Sequence, residues 1–461
     1  MSIRGCAPWQ ACSHRKTIHG RVFMQEILVR RVQHPVGQGG FHMADMWVED
    51  EPFRYIYDCG SDNPDAIRTV LAGLHRTEDE KKFDWLVISS FDMDHCNGVT
   101  LLLKGGYTFK RVFLPHRLDS KLLVWLLCCY VLDGRSLAEI QAALASLREL
   151  RELSDQFGRD GDEDGSVLER DGPNPANQVN ITYRVKDADW MFRFYSRETN
   201  YAALVTALFG NDEFKPLKKI MEAAARTVSG RAAPGDTTTI LDQLFSVLGK
   251  PPVAAADGTP VSTETVKKLL GKAYQALTKD GARVFGDYNE VSLCLYSGPR
   301  TSGQSAASRF NVACTIGHHS DYSVRDGTRR AGWLGLGDIG FRTRALLEEL
   351  ALYYRSELAL SCTKMVPHHG AQSNYGTHLA TLTPFFGLDD TPTLWVAAAH
   401  PLAGYRHPAG IVVLESGKNG SFAMVSDDPG SRIEETIRSA PALNRATARY
   451  LIHLLHNAGY R

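Results

Sequence analysis

Short apolar runs and longer stretches of helical spacing alternate at both ends of this chain. Glu26–Val32, Phe41–Val48 and Arg54–Tyr57 predict three strands, the first two joined by the glycine-rich turn Val36–Gly40. Pro64–Leu74 has the spacing of a helix. Asp84–Ser89 is a short apolar run without polar interruption, as expected of a strand buried on both faces. Arg111–Leu114 predicts another strand, and Asp119–Leu132 and Ser136–Phe157 predict helices. The stretch 158–178 is acidic and rich in Gly, Pro and Asn, so it reads as a loop. Further helical segments fill roughly 198–280. Strand patterns resume at Glu290–Tyr296, Phe310–Ile316, Trp333–Leu336, Leu360–Val366 and Thr393–Ala399, with a helix over Arg342–Ser356 and loops over 300–309 and 317–330. The expected fold class is α/β. A core over 24–117 and 285–461 is interrupted by a mostly helical insertion over 118–284, and residues 1–23 form a polar, disordered lead-in.

A length of 461 residues accommodates one large core plus such an insertion. Net charge is zero, which argues against a uniformly basic nucleic-acid glove but leaves a local basic groove open. The nine cysteines are odd in number and scattered, with no CxxC pair, so the expectation is a reducing, cytoplasmic setting rather than a disulfide framework. No apolar run approaches the ~20 residues of a membrane crossing, and the N-terminus lacks the apolar stretch of a secretory signal.

Polar residues with chemical potential collect directly after the predicted strands, where α/β folds gather their ligands. Asp92, Asp94 and His95 follow the buried run Asp84–Ser89. Two carboxylates and an imidazole so close together suit a divalent cation, which relieves the repulsion between the acids. Asp338 stands in the apolar stretch WLGLGDIG and reads either as the N-cap of the Arg342–Ser356 helix or as a metal bridge. His368 and His369 follow Leu360–Val366. Adjacent histidines point in different directions, so one would ligate a given ion and the other would hold a phosphate or a supporting carboxylate. His407, before Pro408, could in protonated form stabilise a leaving oxygen. The acidic stretch Asp160–Gly165 starts like a calcium loop, but Asp171 stands where the bidentate Glu belongs, which favours a solvated linker.

Taken in order, these elements resemble the metallo-β-lactamase superfamily, and within it the ComEC-like branch. That branch reads VGQGD, IDxG, HxDxDHxGG, NxxSLVL, TGD, KVxHHGS and YGHP. The matching stretches here are Val36–Gly39, Tyr57–Gly60, Ser90–His95, Asn289–Leu293, Gly337–Ile339, Lys364–Gly370 and Tyr405–Pro408. The resemblance implies an αββα sandwich with two divalent ions, Mn²⁺ or Zn²⁺ or else Mg²⁺, at one edge. It implies that Asp94 and His95 bind one ion with the His368/His369 pair, that Asp338 bridges both ions, and that Asp92 serves the other. Asp94, His369 and His407 would act in catalysis, with a metal-activated hydroxide as nucleophile. The implied activity is phosphodiester hydrolysis with DNA as substrate, in a stand-alone effector of bacterial defence against foreign DNA, with the helical insertion offered to a protein partner. A small-molecule phosphodiesterase and a non-catalytic binding module are the other readings. This chain departs from the pattern at Ser90, where the branch has its first histidine, and at Gly40, Val99 and Arg406. His116 is a conceivable replacement ligand.

Overall fold

The computed structural model describes residues 25–132, 137–157, 168–171, 180–210, 268, 272, 275, 288–301, 308–317, 319–375, 393–400, 404, 406–418 and 420–440. The lead-in at 1–23, Tyr405 and most of the acidic loop at 158–178 lie outside them.

Strands β1 (Ile27–Gln33), β2 (Phe41–Val48) and β3 (Glu51–Cys59) form an antiparallel meander. Helix α1 (Pro64–Gly73) starts at the Asn63 cap and leads to β4 (Lys82–Val87), parallel to β3. Two short helices, α2 (Met93–Cys96) and α3 (Val99–Lys104), precede β5 (Thr108–Phe113), parallel to β4. Helices α4 (Ser120–Leu132) and α5 (Leu137–Phe157) come next, then β6 (Leu168–Asp171), β7 (Thr182–Val185), β8 (Met191–Tyr195) and α6 (Tyr201–Phe209). The chain continues through β9 (Cys294–Gly298), β10 (Arg309–Ile316), β11 (His319–Thr328) and β12 (Gly332–Gly335). After α7 (Arg344–Tyr353) and α8 (Arg355–Leu360) follow β13 (Ser361–Met365), β14 (Thr393–Ala398), α9 (Gly410–Lys418), β15 (Gly420–Val425) and β16 (Ile433–Ala440).

These strands make two mixed eight-stranded sheets. One runs β11-β10-β16-β1-β2-β3-β4-β5 and the other β15-β14-β13-β12-β9-β8-β7-β6. Their inner faces share one apolar cluster, to which Val29, Met46, Trp85 and Phe113 come from the first sheet and Tyr183, Phe192, Phe194 and Leu295 from the second. Phe113 stacks on Phe194 at 4.6 Å, and Trp85 meets Phe192 edge-on at 5.0 Å. The outer face of the first sheet packs on α1 and α3–α6 through Ile56, Leu86, Leu147 and Leu204. The outer face of the second packs on α7–α9 through Leu334, Leu350, Leu358 and Val412. Strands buried on both sides read as nearly continuous apolar runs, as the buried stretch Trp85–Ile88 at the end of β4 does.

Most of 211–284 in the expected helical insertion lies outside the described residues, and the described part at 118–210 is not purely helical. Strands β6, β7 and β8 extend the second sheet by pairing onto β9, and α4–α6 cover the first sheet. The boundary at 118 therefore falls within the layered unit. The expected loop at 317–330 contains β11, an edge strand with one paired side, so its sequence HSDYSVRDGT carries no apolar alternation. The expected single helix over Arg342–Ser356 is two helices meeting at Tyr354. Among the described residues, six cysteines are buried, and no helix is long and apolar enough to cross a membrane.

One ion pair lies deep between the sheets. Arg31 Nε donates to Glu435 at 2.7 Å, and the same guanidinium reaches Ala331 O and Cys362 Sγ in the second sheet. Thr363 Oγ1 donates to the other Glu435 oxygen at 2.6 Å. Removing one member strands the other charge, so Arg31→Met is expected to cost about 3–5 kcal/mol. Urea unfolding beside wild type checks this, and a shift under 1 kcal/mol would contradict the arrangement.

Candidate metal centre

Three strand ends meet at one edge of the two sheets, and together they deliver four titratable side chains. After β4 the chain passes Ser89 and Ser90 and turns into α2. Asp92 caps that helix by accepting the Met93 N–H at 2.8 Å, which places Asp94 and His95 in its single turn. Asp338 follows β12. His369 follows β13 on a turn where His368 and His369 both hold left-handed backbone, with φ of 50° and 53°.

Asp94, His95, Asp338 and His369 offer ligand atoms that all lie within 4.8 Å of one another. His95 Nε2 is 3.0 Å from Asp338 Oδ1 and 3.9 Å from Asp94 Oδ1. His369 Nε2 is 3.1 Å from Asp94 Oδ2 and 3.5 Å from Asp338 Oδ1. Ligand atoms at ~2.1 Å around a tetrahedral ion stand ~3.4 Å apart, so these separations bracket the spacing an ion imposes. All four residues are buried, Asp338 to 1% exposure. Asp94 Oδ1, His95 Nε2, both Asp338 oxygens and His369 Nε2 are buried without a hydrogen-bond partner. Bare, each would cost about 1–3 kcal/mol, and one cation answers all of them. The donors present fit a divalent ion.

Each imidazole is oriented from behind. His95 Nδ1 donates to Asp58 Oδ2 at 2.9 Å, and Asp58 also accepts the Ser89 N–H and hydroxyl. His369 Nδ1 donates to Ala398 O at 2.7 Å. Both Nε2 atoms therefore face the carboxylates, the arrangement in which a supporting acceptor fixes a ligand histidine. Burial opposes charge on Asp338, but the imidazoles of His95, His368 and His369 overcome it and hold its carboxyl far below the usual range. Burial likewise opposes protonation of His95 and His369. Asp338, with Asp58 and Asp94 at His95 and with Asp94 at His369, raises them, His95 well above its ordinary value and His369 to about 9.

The two loops come together through close backbone contact. A Cβ on Gly60 would lie 2.5 Å from the His95 nitrogen, and one on Gly39 would lie 2.7 Å from Asp94 O. Only glycine fits at either position.

The other expected site residues lie around this group. Asp92 is buried and caps α2, outside the four. The sequence reading leaves open which of His368 and His369 binds the ion. The anchored ring of His369 is the one that joins the group, and the His368 ring stands 6.2 Å from the rings of both His369 and His407. Burial, aided by His369 and His368, pushes His407 down to about 4, so at neutral pH it is an uncharged imidazole. Asp338 is not the cap of α7, because Thr343 is. His116 lies outside the group, its ring 5.8 Å from that of Tyr201. Ser90 donates to Asn289 Oδ1 at 3.0 Å. The supporting roles of Asp58, Asn289 and Ser292 escape a residue-by-residue reading. Their signal is modest, a buried polar side chain beside an apolar run.

No protein-family model matches the chain, and no curated protein matches it.

Proposed function

We propose that this protein is a metallo-β-lactamase-type hydrolase that uses a divalent cation to cleave phosphodiester bonds, with DNA as substrate. One observation carries the reading: five buried, partnerless ligand atoms on Asp94, His95, Asp338 and His369 converge at the edge of two facing sheets. The order of motifs along the chain supports the superfamily, and the choice of DNA rests on that likeness.

Asp94, His95, Asp338 and His369 would hold the ion. When bound, it supplies Lewis acidity towards a phosphoryl oxygen and lowers the pKa of coordinated water. Two imidazoles with two carboxylates suit Zn²⁺ or Mn²⁺ better than Mg²⁺, which prefers an all-oxygen shell. Asp58 and the Ala398 carbonyl keep both ligand rings turned inward. His407, uncharged at neutral pH, can accept a proton from an attacking water. His368, beside it, can donate an N–H to a phosphate oxygen.

The test is cleavage of plasmid, linear and single-stranded DNA by metal-stripped protein resupplied with Mn²⁺, Zn²⁺ or Mg²⁺. An Asp94→Ala/His95→Ala double variant is the control. Cleavage with Mn²⁺ or Zn²⁺ that the control lacks is expected. Intact DNA under every metal would refute the nuclease reading, and a parallel assay on a small phosphodiester would then ask whether the chemistry survives with another substrate.

A further inference from the structure

We propose that the turn over 288–293 aligns the metal centre, with Asn289 and Ser292 as positioning residues for its two ligand loops; this rests on the metal-centre reading above. Asp94 and His95 belong to the loop after β4 in the first sheet, and Asp338 to the loop after β12 in the second. An ion tolerates ligand misplacement of only a few tenths of an ångström, so something must fix one loop against the other. This one turn bonds to both. Ser90 donates its hydroxyl to Asn289 Oδ1 at 3.0 Å and accepts the Asp92 N–H at 3.2 Å, which extends the tie to the start of α2. Leu293 N–H donates to Ser89 O at 2.7 Å. On the other side, Asp338 N–H donates to Ser292 Oγ at 3.2 Å.

The turn is itself held from three directions. Ser196 Oγ donates to Val291 O at 2.7 Å, and Tyr57 OH donates to Leu293 O at 2.8 Å. Arg197 Nη1 donates to Glu290 O at 3.0 Å and to Gly340 O at 2.7 Å, so the arginine ties the turn a second time to the Asp338 loop. Asn289 is 7% exposed and Ser292 fully buried. Neither belongs to the ligand group; they act through Ser90 and the Asp338 backbone. The Ser90 hydroxyl, engaged as donor and as acceptor, serves alignment at a position where the resemblance has a ligand.

The test is Co²⁺ titration of metal-stripped wild type, Asn289→Ala and Ser292→Ala, read by dissociation constant and visible d–d absorption. Tyr354→Phe, which removes a part-buried hydrogen bond to Arg193 O, controls for general destabilisation. Both alanine variants are expected to bind Co²⁺ about 10-fold more weakly with an altered band, and the control to match wild type. Should an alanine variant fail to fold, Asn289→Ser and Ser292→Cys carry the same expectation. Wild-type affinity and spectrum in the variants would overturn the alignment role alone. A wild type that takes up no Co²⁺ would overturn the metal centre, and this role with it.

Discussion

Asp338→Asn is expected to lower divalent-cation affinity by about 10²–10³-fold while leaving the fold intact. Asp338 Oδ1 is the atom both ligand imidazoles approach, at 3.0 Å from His95 and 3.5 Å from His369. A four-ligand protein site binds its ion with about 10–16 kcal/mol. A quarter of that is ~2.5–4 kcal/mol, which corresponds to the stated loss. The amide preserves volume and one oxygen, so the shape of the buried site is kept. What it removes is the charge that balances the cation and keeps both imidazoles basic. Calorimetric titration with Mn²⁺ and Zn²⁺ measures the loss directly. Affinity within threefold of wild type would show that the ion, if bound, sits elsewhere.

Gly60→Ala is expected to cost about 3 kcal/mol or more and to impair the metal centre at the same time. The added methyl would meet the backbone of Asp94 and His95, which cannot rotate aside as a flexible side chain can. Overpacking against side chains costs typically 1–3 kcal/mol, and a clash with backbone lies at the upper end. Relief requires α2 to move away from β3, which carries His95 off Asp58. Urea unfolding and Co²⁺ affinity should therefore fall together. A variant with wild-type stability would mean that the Gly60 and Asp94 backbones do not touch.

The sequence exposes the strand-end positions of the centre better than their division of labour. Asp94, His95, Asp338 and the histidine pair are legible because a polar residue directly after a buried apolar run has few structural reasons to be there. His368 and His369 are indistinguishable by type and neighbours. The left-handed turn and the Ala398 carbonyl, 29 residues along, decide between them. Asp92 reads as a third acidic ligand, and the backbone adds a helix-capping role through its Oδ1. The apolar strands β2, β4 and β14 are readable from pattern alone. Strands β6–β8 are short and lie amid helical spacing, so their place in the sheet follows from pairing with β9, far along the chain. Strand β16 (IEETIRSA) has two isoleucines on its inner face and Glu435 between them, a break in alternation that makes sense only opposite Arg31.

That buried pair has a consequence for docking geometry. Sliding one sheet over the other by a two-residue step moves it about 7 Å. Aromatic and aliphatic partners could regroup after such a slip, since apolar contact is not directional. Arg31 could not, because Ala331 O and Cys362 are at one position only, and Thr363 serves Glu435 only there. The pair works as a dowel pin: it adds little adhesion but admits a single alignment of the two sheets. In that alignment Asp94 and His95 on one sheet come opposite Asp338 and His369 on the other.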